Sequence, residues 1–370
     1  MNKKVGLLTL PLKDNYGGIL QAVALYSYLE RMGCKVTLIQ KEVFYPFWKK
    51  VLVLALQWLP FQNYKNFRST RINSKIHKPI IDSIITRKTD VAITRSDLER
   101  MAFEYKFDAV VVGSDQVWRP QYTDRIYYGA YFLDFLGEGQ TRRISYAASF
   151  GLDYWSYPDK ENEVRSLLSK FDALSSREMS GVKLCADFGR SDCAHVVDPT
   201  LLVGKEFYKS LMGKTSLATD KSVLCYILDD CGLKRNIVSS CMSSLGHGYA
   251  PRYIYSGGNG RQSYSIPEWL RAFSDAEYVI TDSFHGVVFS IVFNKKFVAI
   301  SNPERGAGRF DSLLSRLELR ERLISIGSGA DVTRDASMLI GKEIDYDRVN
   351  ALLDDWRLSS NKFLNEALNG

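Results

Sequence analysis

The chain is short of several things, and each shortage removes a class of function. It holds no apolar run of 20 residues, and a helix needs about that many to span a bilayer. The nearest approach, FWKKVLVLALQWL (47–59), is bracketed by Pro46 and Pro60 and is too short to cross. The six cysteines (Cys34, Cys185, Cys193, Cys225, Cys231 and Cys241) form no CxxC pair, and zinc sites normally show tighter ligand pairs than Cys185 and Cys193. No metal site is expected. The thiols read as reduced cysteines of a cytoplasmic protein, since no charged segment followed by an apolar core opens the chain as a secretory signal would. The GxGxxG spacing of dinucleotide enzymes is also missing. Histidine is scarce, with four in 370 residues, so His285, set beside a glycine where a helix should begin, asks for a reason.

What is present points to a two-domain α/β protein. A hydrophobic content of 45% supplies a large core, and the length exceeds the roughly 100–200 residues of one domain. The formal charge of +7 favours acidic partners such as phosphorylated small molecules, nucleic acid or an anionic membrane face. KKVGLLTLP followed by NYGGILQAVALYSYLERMGCKVTLIQ reads as strand, glycine turn, amphipathic helix, glycine stop and strand, the opening of a parallel sheet. FDAVVVGSDQVW (107–118) and RRISYAASFG (142–151) add strands that end in small residues, where such sheets keep ligands. SVLCYILDD, RYIYSGG, EYVITD and KFVAIS restart the same pattern after residue 220. The predicted division is 1–170 for a first Rossmann-like domain and 171–344 for a second, with a C-terminal helix over 345–370 returning to the first.

The segment 43–81 stands apart: it carries Lys49, Lys50, Lys65, Lys75, Lys78, Arg68 and Arg71, eight aromatic residues and no acid. Basic residues meet anionic headgroups while Trp and Phe sit at the acyl boundary, so peripheral membrane contact is one reading. The other is an excursion whose apolar face packs on the protein. No nucleic-acid-binding module accompanies it, and no nucleic-acid partner is expected.

Four motifs can carry chemistry. YVITDSFHG sets Asp282 and Ser283 where an N-cap belongs and His285 in the first helical turn. Free backbone N–H groups, the helix dipole and an imidazole then converge as an anion site, unless the histidine is only structural. GSDQVW (113–118) offers Asp115 as a base or a holder of a sugar hydroxyl and Trp118 as a ring to stack on a sugar, or else an Asx turn with a core tryptophan. NYGGILQ (15–21) supplies a tight turn with exposed amides at Asn15, Tyr16, Gly17 and Gly18. SSREMSG (175–181) carries Arg177 beside Glu178, a pair that taken alone is an ordinary ion pair.

Together NYGGILQ, VVVGSDQVWRP, ISYAASFG, SSREMSG, VVDPTLL, ITDSFHGVVFSIVFNKKFVAI and RGAGRFDSLL stand in an order and spacing that resembles the polysaccharide pyruvyl transferase family, over residues 5–325. The resemblance implies a GT-B-like fold, two Rossmann-like domains facing a central cleft, and no metal or cofactor. It also implies transfer of the enolpyruvyl carbon of phosphoenolpyruvate onto a sugar, commonly as a ketal, in capsule or exopolysaccharide biosynthesis. The family's catalytic histidine falls on His285 and the arginine of its S-x-R-[ED] segment on Arg177. Some branches carry an arginine two residues before the histidine; here Ser283 stands in that place.

The donor-binding set expected from motif and resemblance is Arg177, Ser283, Gly286, Arg305 and Arg309, the last two supplying the missing charge. His285 and Asp115 are the expected catalytic residues, and Asn15, Tyr16, Gly17, Gly18 and Trp118 the expected acceptor site. The acceptor is expected to be a lipid-linked or nucleotide-linked sugar, at the inner face of the cytoplasmic membrane if segment 43–81 touches it. The competing readings are a metal-independent GT-B glycosyltransferase with a nucleotide-sugar donor and a non-catalytic glycan-binding protein.

Overall fold

Each apolar run that ends in a glycine or small-residue turn becomes a parallel strand. The structure, a computed structural model, describes residues 2–42, 74–123, 127–213, 221–255, 264–301, 306, 308–326 and 331–370. Most of the basic, aromatic segment 43–81 and Arg305 lie outside the described residues. Among those described, no helix is long and apolar enough to cross a membrane. The chain divides into two units, Met1–Val203 with Asp355–Gly370, and Gly204–Asp354.

Unit 1 is built on a parallel sheet ordered β3-β2-β1-β4-β5, with β1 Lys4–Leu8, β2 Lys35–Lys41, β3 Lys88–Ala92, β4 Ala109–Gly113 and β5 Arg142–Tyr146. In β1 and β4 the residues Val5, Leu7, Leu8 and Ala109 through Val112 are fully buried, as expected of strands covered on both faces. Helix α1 (Tyr16–Arg31) follows β1, and a helix α2 whose described part covers 74–84 precedes β3. Isolated bridges Ile144–Ala173 and Ala148–Ser176 carry the sheet on to the parallel pair β6 (Ser175–Ser176) and β7 (Ala194–His195). The chain runs outward from β1 through β2 to β3, then returns to lay β4 on the other side of β1. The carboxyl ends of β1 and β4 are therefore the switch point, where an open α/β sheet leaves a crevice for ligand.

The expected boundary at residue 170 falls too early. The next 33 residues hold β6 and β7, which extend the first sheet and stay with it up to Val203. Of the C-terminal helix α13 (Tyr346–Asn369), residues from Asp355 on also belong to unit 1. Ser360 Oγ accepts the Val197 N–H at 3.0 Å, the Trp356 indole N–H donates to the His195 carbonyl at 3.3 Å, and Arg142 Nε donates to the Ala367 carbonyl at 2.8 Å. Tyr146, fully buried, donates its hydroxyl to the Val197 carbonyl at 3.0 Å. The loop after β7 is thus fixed from both sides before Asp198 is reached.

Unit 2 repeats the design with the order β12-β11-β10-β8-β9, where β8 is Ser222–Ile227, β9 Ala250–Tyr255, β10 Tyr278–Thr281, β11 Lys296–Ile300 and β12 Leu323–Ile324. All of its neighbouring strands are parallel. Its switch point lies between β8 and β10, and β10 is the strand that ends in TDSFHG.

Replacing Ser360 with Ala removes the hydroxyl without adding bulk and leaves the buried Val197 N–H without its acceptor. The expected loss is about 1–3 kcal/mol, read as a lower denaturant midpoint for unit 1, and an unchanged midpoint would contradict the anchoring role.

Candidate functional site

At the carboxyl end of β4 the chain turns through Ser114 and Asp115, and Asp115 adopts a left-handed φ of 66°. Aspartate tolerates that region better than most residues. Its carbonyl receives Val117 N–H at 2.8 Å and Ser149 N–H at 3.1 Å, and its Oδ1 receives Gln116 N–H at 2.9 Å, so the strained turn is held from several directions. Trp118, three residues on, is fully buried. Its indole N–H donates to the Tyr131 carbonyl at 2.9 Å, and its ring stacks on Phe132 with centroids 5.6 Å apart and packs on Phe150 at 5.0 Å. This corrects the expected acceptor role: neither face of the ring is open to a sugar, and Trp118 is the core tryptophan that the sequence left as the other choice.

Arg177 requires a second correction. It belongs to unit 1, not to the donor half, and only 2% of it is exposed. Its Nη1 donates to Asp198 Oδ2 at 2.8 Å, its Nη2 to Asp115 Oδ1 at 3.4 Å, and its Nε lies 3.7 Å from Glu178 Oε2. Burial alone works against the guanidinium charge, but Asp198, Asp115 and Glu178 outweigh it and raise the pKa above the usual arginine value. Asp198 is engaged further: Oδ1 caps the turn Pro199–Leu202 by accepting Thr200 N–H at 3.0 Å, and Oδ2 receives the Ser114 hydroxyl at 3.4 Å. A guanidinium so enclosed serves internal carboxylates. The motif SSREMSG gave no hint, because Asp115 and Asp198 lie 62 and 21 residues away in sequence.

The NYGG turn does gather at the switch point. Asn15, exposed, is the N-cap of α1 but makes no side-chain cap bond, and its Nδ2 lies 3.5 Å from Asp115 Oδ2. A Cβ on Gly18 would stand 3.0 Å from Asp115 Oδ2 and 3.1 Å from Asn15 Nδ2, so glycine permits the close approach of α1 to Asp115. Tyr16, Gly17 and Gly18 are buried. Gln21 donates to Thr9 Oγ1 at 2.9 Å and to the Gly18 carbonyl at 2.8 Å, while its Oε1 has no partner.

Sequence reasoning missed His77. It sits on α2, fully buried, with neither ring nitrogen hydrogen-bonded, and it meets the Tyr16 ring edge-on with centroids 5.0 Å apart. Burial pushes its pKa down to about 4, against the opposing pull of the Asp14 carboxylate. The available signal was its place as a lone histidine in a basic tract without acids; nothing local marked it as buried.

In unit 2, Ser283 is the N-cap of α10 (Phe284–Val292), and its Oγ accepts the Gly286 N–H at 3.3 Å. Asp282 points elsewhere. Its carboxylate accepts Leu228 N–H at 2.6 Å, Asp229 N–H at 3.1 Å and the buried Lys234 ammonium at 2.6 Å, tying the ends of β8 and β10 together across the switch point. Gly286 is dictated by packing, since a Cβ there would meet Thr281 Oγ1 at 2.2 Å and Thr281 Cβ at 2.9 Å. His285, 7% exposed, lies in the first turn of α10. Arg309, from helix α11 (Gly308–Arg316), carries its guanidinium 5.4 Å from the centre of the Phe284 ring. The expected set His285, Ser283, Gly286 and Arg309 is therefore gathered at one helix start, and the other set, Asn15, Gly18 and Asp115, at the switch point of unit 1.

The sequence profile of the polysaccharide pyruvyl transferase family matches residues 15–304, most of the chain. The chain belongs to the polysaccharide pyruvyl transferase family. No curated protein sequence matches it. Among solved structures it is similar to UDP-N-acetylglucosamine 2-epimerase from Rickettsia bellii, at 10% identity and a TM-score of 0.58, covering 99% of this chain and 96% of that one. It is also similar to UGT73P12 of Glycyrrhiza uralensis complexed with glycyrrhetinic acid 3-O-monoglucuronide, at 11% identity and a TM-score of 0.56, covering 100% and 96%. A third is the UDP-GlcNAc 2-epimerase of Methanocaldococcus jannaschii, at 13% identity and a TM-score of 0.55, covering 97% and 99%. At these identities the likeness concerns the fold, and the fold of this pyruvyl transferase family member is GT-B-like.

Arg177→Met would leave three carboxylates facing one another in the interior of unit 1. We expect a loss of about 3–5 kcal/mol, with Arg177→Lys intermediate because an ammonium cannot span all three; urea unfolding of both variants checks this.

His77 gives a pH signature. Its folded pKa of about 4 lies below the ordinary 6.5, so between those values the unfolded chain binds the proton and the folded chain does not. The stability is complete above pH 6.5 and is lost as the pH falls towards 4, by up to about 3 kcal/mol. His77→Phe should flatten that part of the stability curve, and a variant whose curve keeps the wild-type slope would contradict it.

Proposed function

We propose that the protein transfers the pyruvyl group of phosphoenolpyruvate to a sugar and closes it as a ketal on two hydroxyls, in the assembly of a capsule or exopolysaccharide. The observation that carries the reading is the start of α10, where His285, a helix N-terminus and the guanidinium of Arg309 gather at the carboxyl end of β10. Phosphoenolpyruvate is a compact polyanion, and a helix start with an arginine suits its phosphate and carboxylate.

Arg309 takes the anion-binding role that the sequence gave to Arg177, and so offsets the serine at position 283. His285 acts as the general acid that delivers a proton to the methylene carbon. The central carbon becomes an oxocarbenium, a sugar hydroxyl adds to it with loss of its proton, phosphate leaves, and a second hydroxyl closes the ring. In unit 1, Asp115 receives or orients the acceptor hydroxyl, and the Asn15–Gly18 turn supplies amide and side-chain contacts to the sugar. The acceptor is a lipid-linked or nucleotide-linked sugar; the basic, aromatic composition of 43–81 supports the lipid-linked form, with the enzyme at the inner face of the cytoplasmic membrane. The reading needs no metal and no cofactor beyond the co-substrate.

Phosphate release from phosphoenolpyruvate in the presence of sugar acceptors tests the reading directly. His285→Ala is expected to lose about 100-fold or more in rate, roughly the contribution of a general acid. Thermal stabilisation by a UDP- or CMP-sugar, with none by phosphoenolpyruvate, would turn the assignment to a glycosyltransferase, and an equally active His285→Ala would remove the histidine from the mechanism.

A further inference from the structure

Helix α1 and the His77 ring of α2, which meets Tyr16 of α1, hold more buried polar atoms than their hydrogen bonds use. Gln21 is 1% exposed, and its Oε1 lacks a donor although its Nε2 is doubly engaged. His77 is fully buried with both ring nitrogens unpaired. The N-cap of α1 makes no side-chain bond, and no acidic residue stands in its first turn. A core position gains nothing from a histidine whose nitrogens are both unsatisfied, because an apolar ring of the same size would avoid the desolvation cost. Such atoms are kept where something else completes them.

The orphaned groups differ in kind, and that narrows the ligand. Gln21 Oε1 accepts only, and a neutral imidazole offers one donor and one acceptor. An anion can use donors alone and would be repelled by the amide oxygen. A sugar hydroxyl is donor and acceptor together and answers both. We propose that His77 and Gln21 recognise the acceptor sugar, the Tyr16 ring swinging off His77 as the sugar enters. This rests on the sugar-transfer reading above and adds two specificity-determining side chains to it. The depressed pKa of His77 keeps the imidazole neutral near pH 7, as hydroxyl recognition requires.

The test uses the full chain labelled with 15N-histidine, in which the His77 ring signals are assigned by their loss in His77→Phe. p-Nitrophenyl glycosides of galactose, glucose, mannose and N-acetylmannosamine are added in turn. At least one is expected to shift the His77 signals saturably. His77→Phe and Gln21→Leu should each weaken that glycoside's binding about tenfold, the loss that follows when a hydrogen bond to a buried group is removed. Thermal stabilisation by phosphoenolpyruvate should stay as in wild type. His77→Phe should melt at or above the wild-type temperature, since phenyl needs no hydrogen bond. The inference is overturned if no glycoside moves the His77 signals, if both variants bind within about twofold of wild type, or if His77→Phe melts several degrees lower. Shifts at His77 without phosphate release would strike the proposed reaction and leave this site standing; phosphate release with unaltered acceptor dependence in both variants would do the reverse.

Discussion

The interior guanidinium of Arg177 is the constraint on which the geometry of unit 1 depends. Three loops, those following β4, β6 and β7, meet around it, and each brings a carboxylate: Asp115, Glu178 and Asp198. Taking a charge out of water is costly unless it is paired and hydrogen-bonded, and the same holds for each carboxylate. No one of these loops can relax without stranding the others. Arginine is the residue for this because its planar fork addresses several acceptors at once and stays charged in the interior. The left-handed turn at Asp115 is affordable in that setting, as local strain persists where the surroundings over-determine it.

Unit 2 meets the same demand in a different way. Its switch point is closed by the carboxylate of Asp282, which takes two backbone N–H groups from the loop after β8 and an ammonium from Lys234. Ser283 is then left to cap α10, and the short distance from Gly286 to Thr281 presses the helix start onto the strand end. His285 sits in the first turn of the helix that these contacts fix. In both units a buried acid fixes the loops, while the groups offered for chemistry are set by what those loops carry.

Much of this was readable in the sequence. The parallel strands announced themselves as unbroken apolar runs ending in GSD, AAS and TDS, because strands buried on both faces need no polar alternation. The capping serine was legible for a local reason, the spacing of a helix start, whereas Gly286, expected at the donor, answers to the close approach of Thr281. What failed was long-range. Arg177 looked like a ligand-binding arginine, since its partners are 62 and 21 residues away. Trp118 had two readings until the rings of Phe132 and Phe150 were seen against it. The boundary was set too early because two-residue strands such as β6 and β7 carry almost no periodic signal. His77 was invisible, since burial of a side chain in a basic tract is decided by what packs over it.

The serine at position 283 now has a physical reading. An arginine there would occupy the N-cap of α10, where a short side-chain oxygen does the capping best; serine caps the helix and receives the Gly286 N–H. In the proposed function the charge that the motif lacks is carried by Arg309, whose guanidinium lies 5.4 Å from the centre of the Phe284 ring. A cation near an aromatic face is attracted by the ring quadrupole, which helps to hold the guanidinium there. The positive end of the helix and the arginine then come from separate elements, α10 and α11, so charge can be retained at this helix start while the cap is optimised independently.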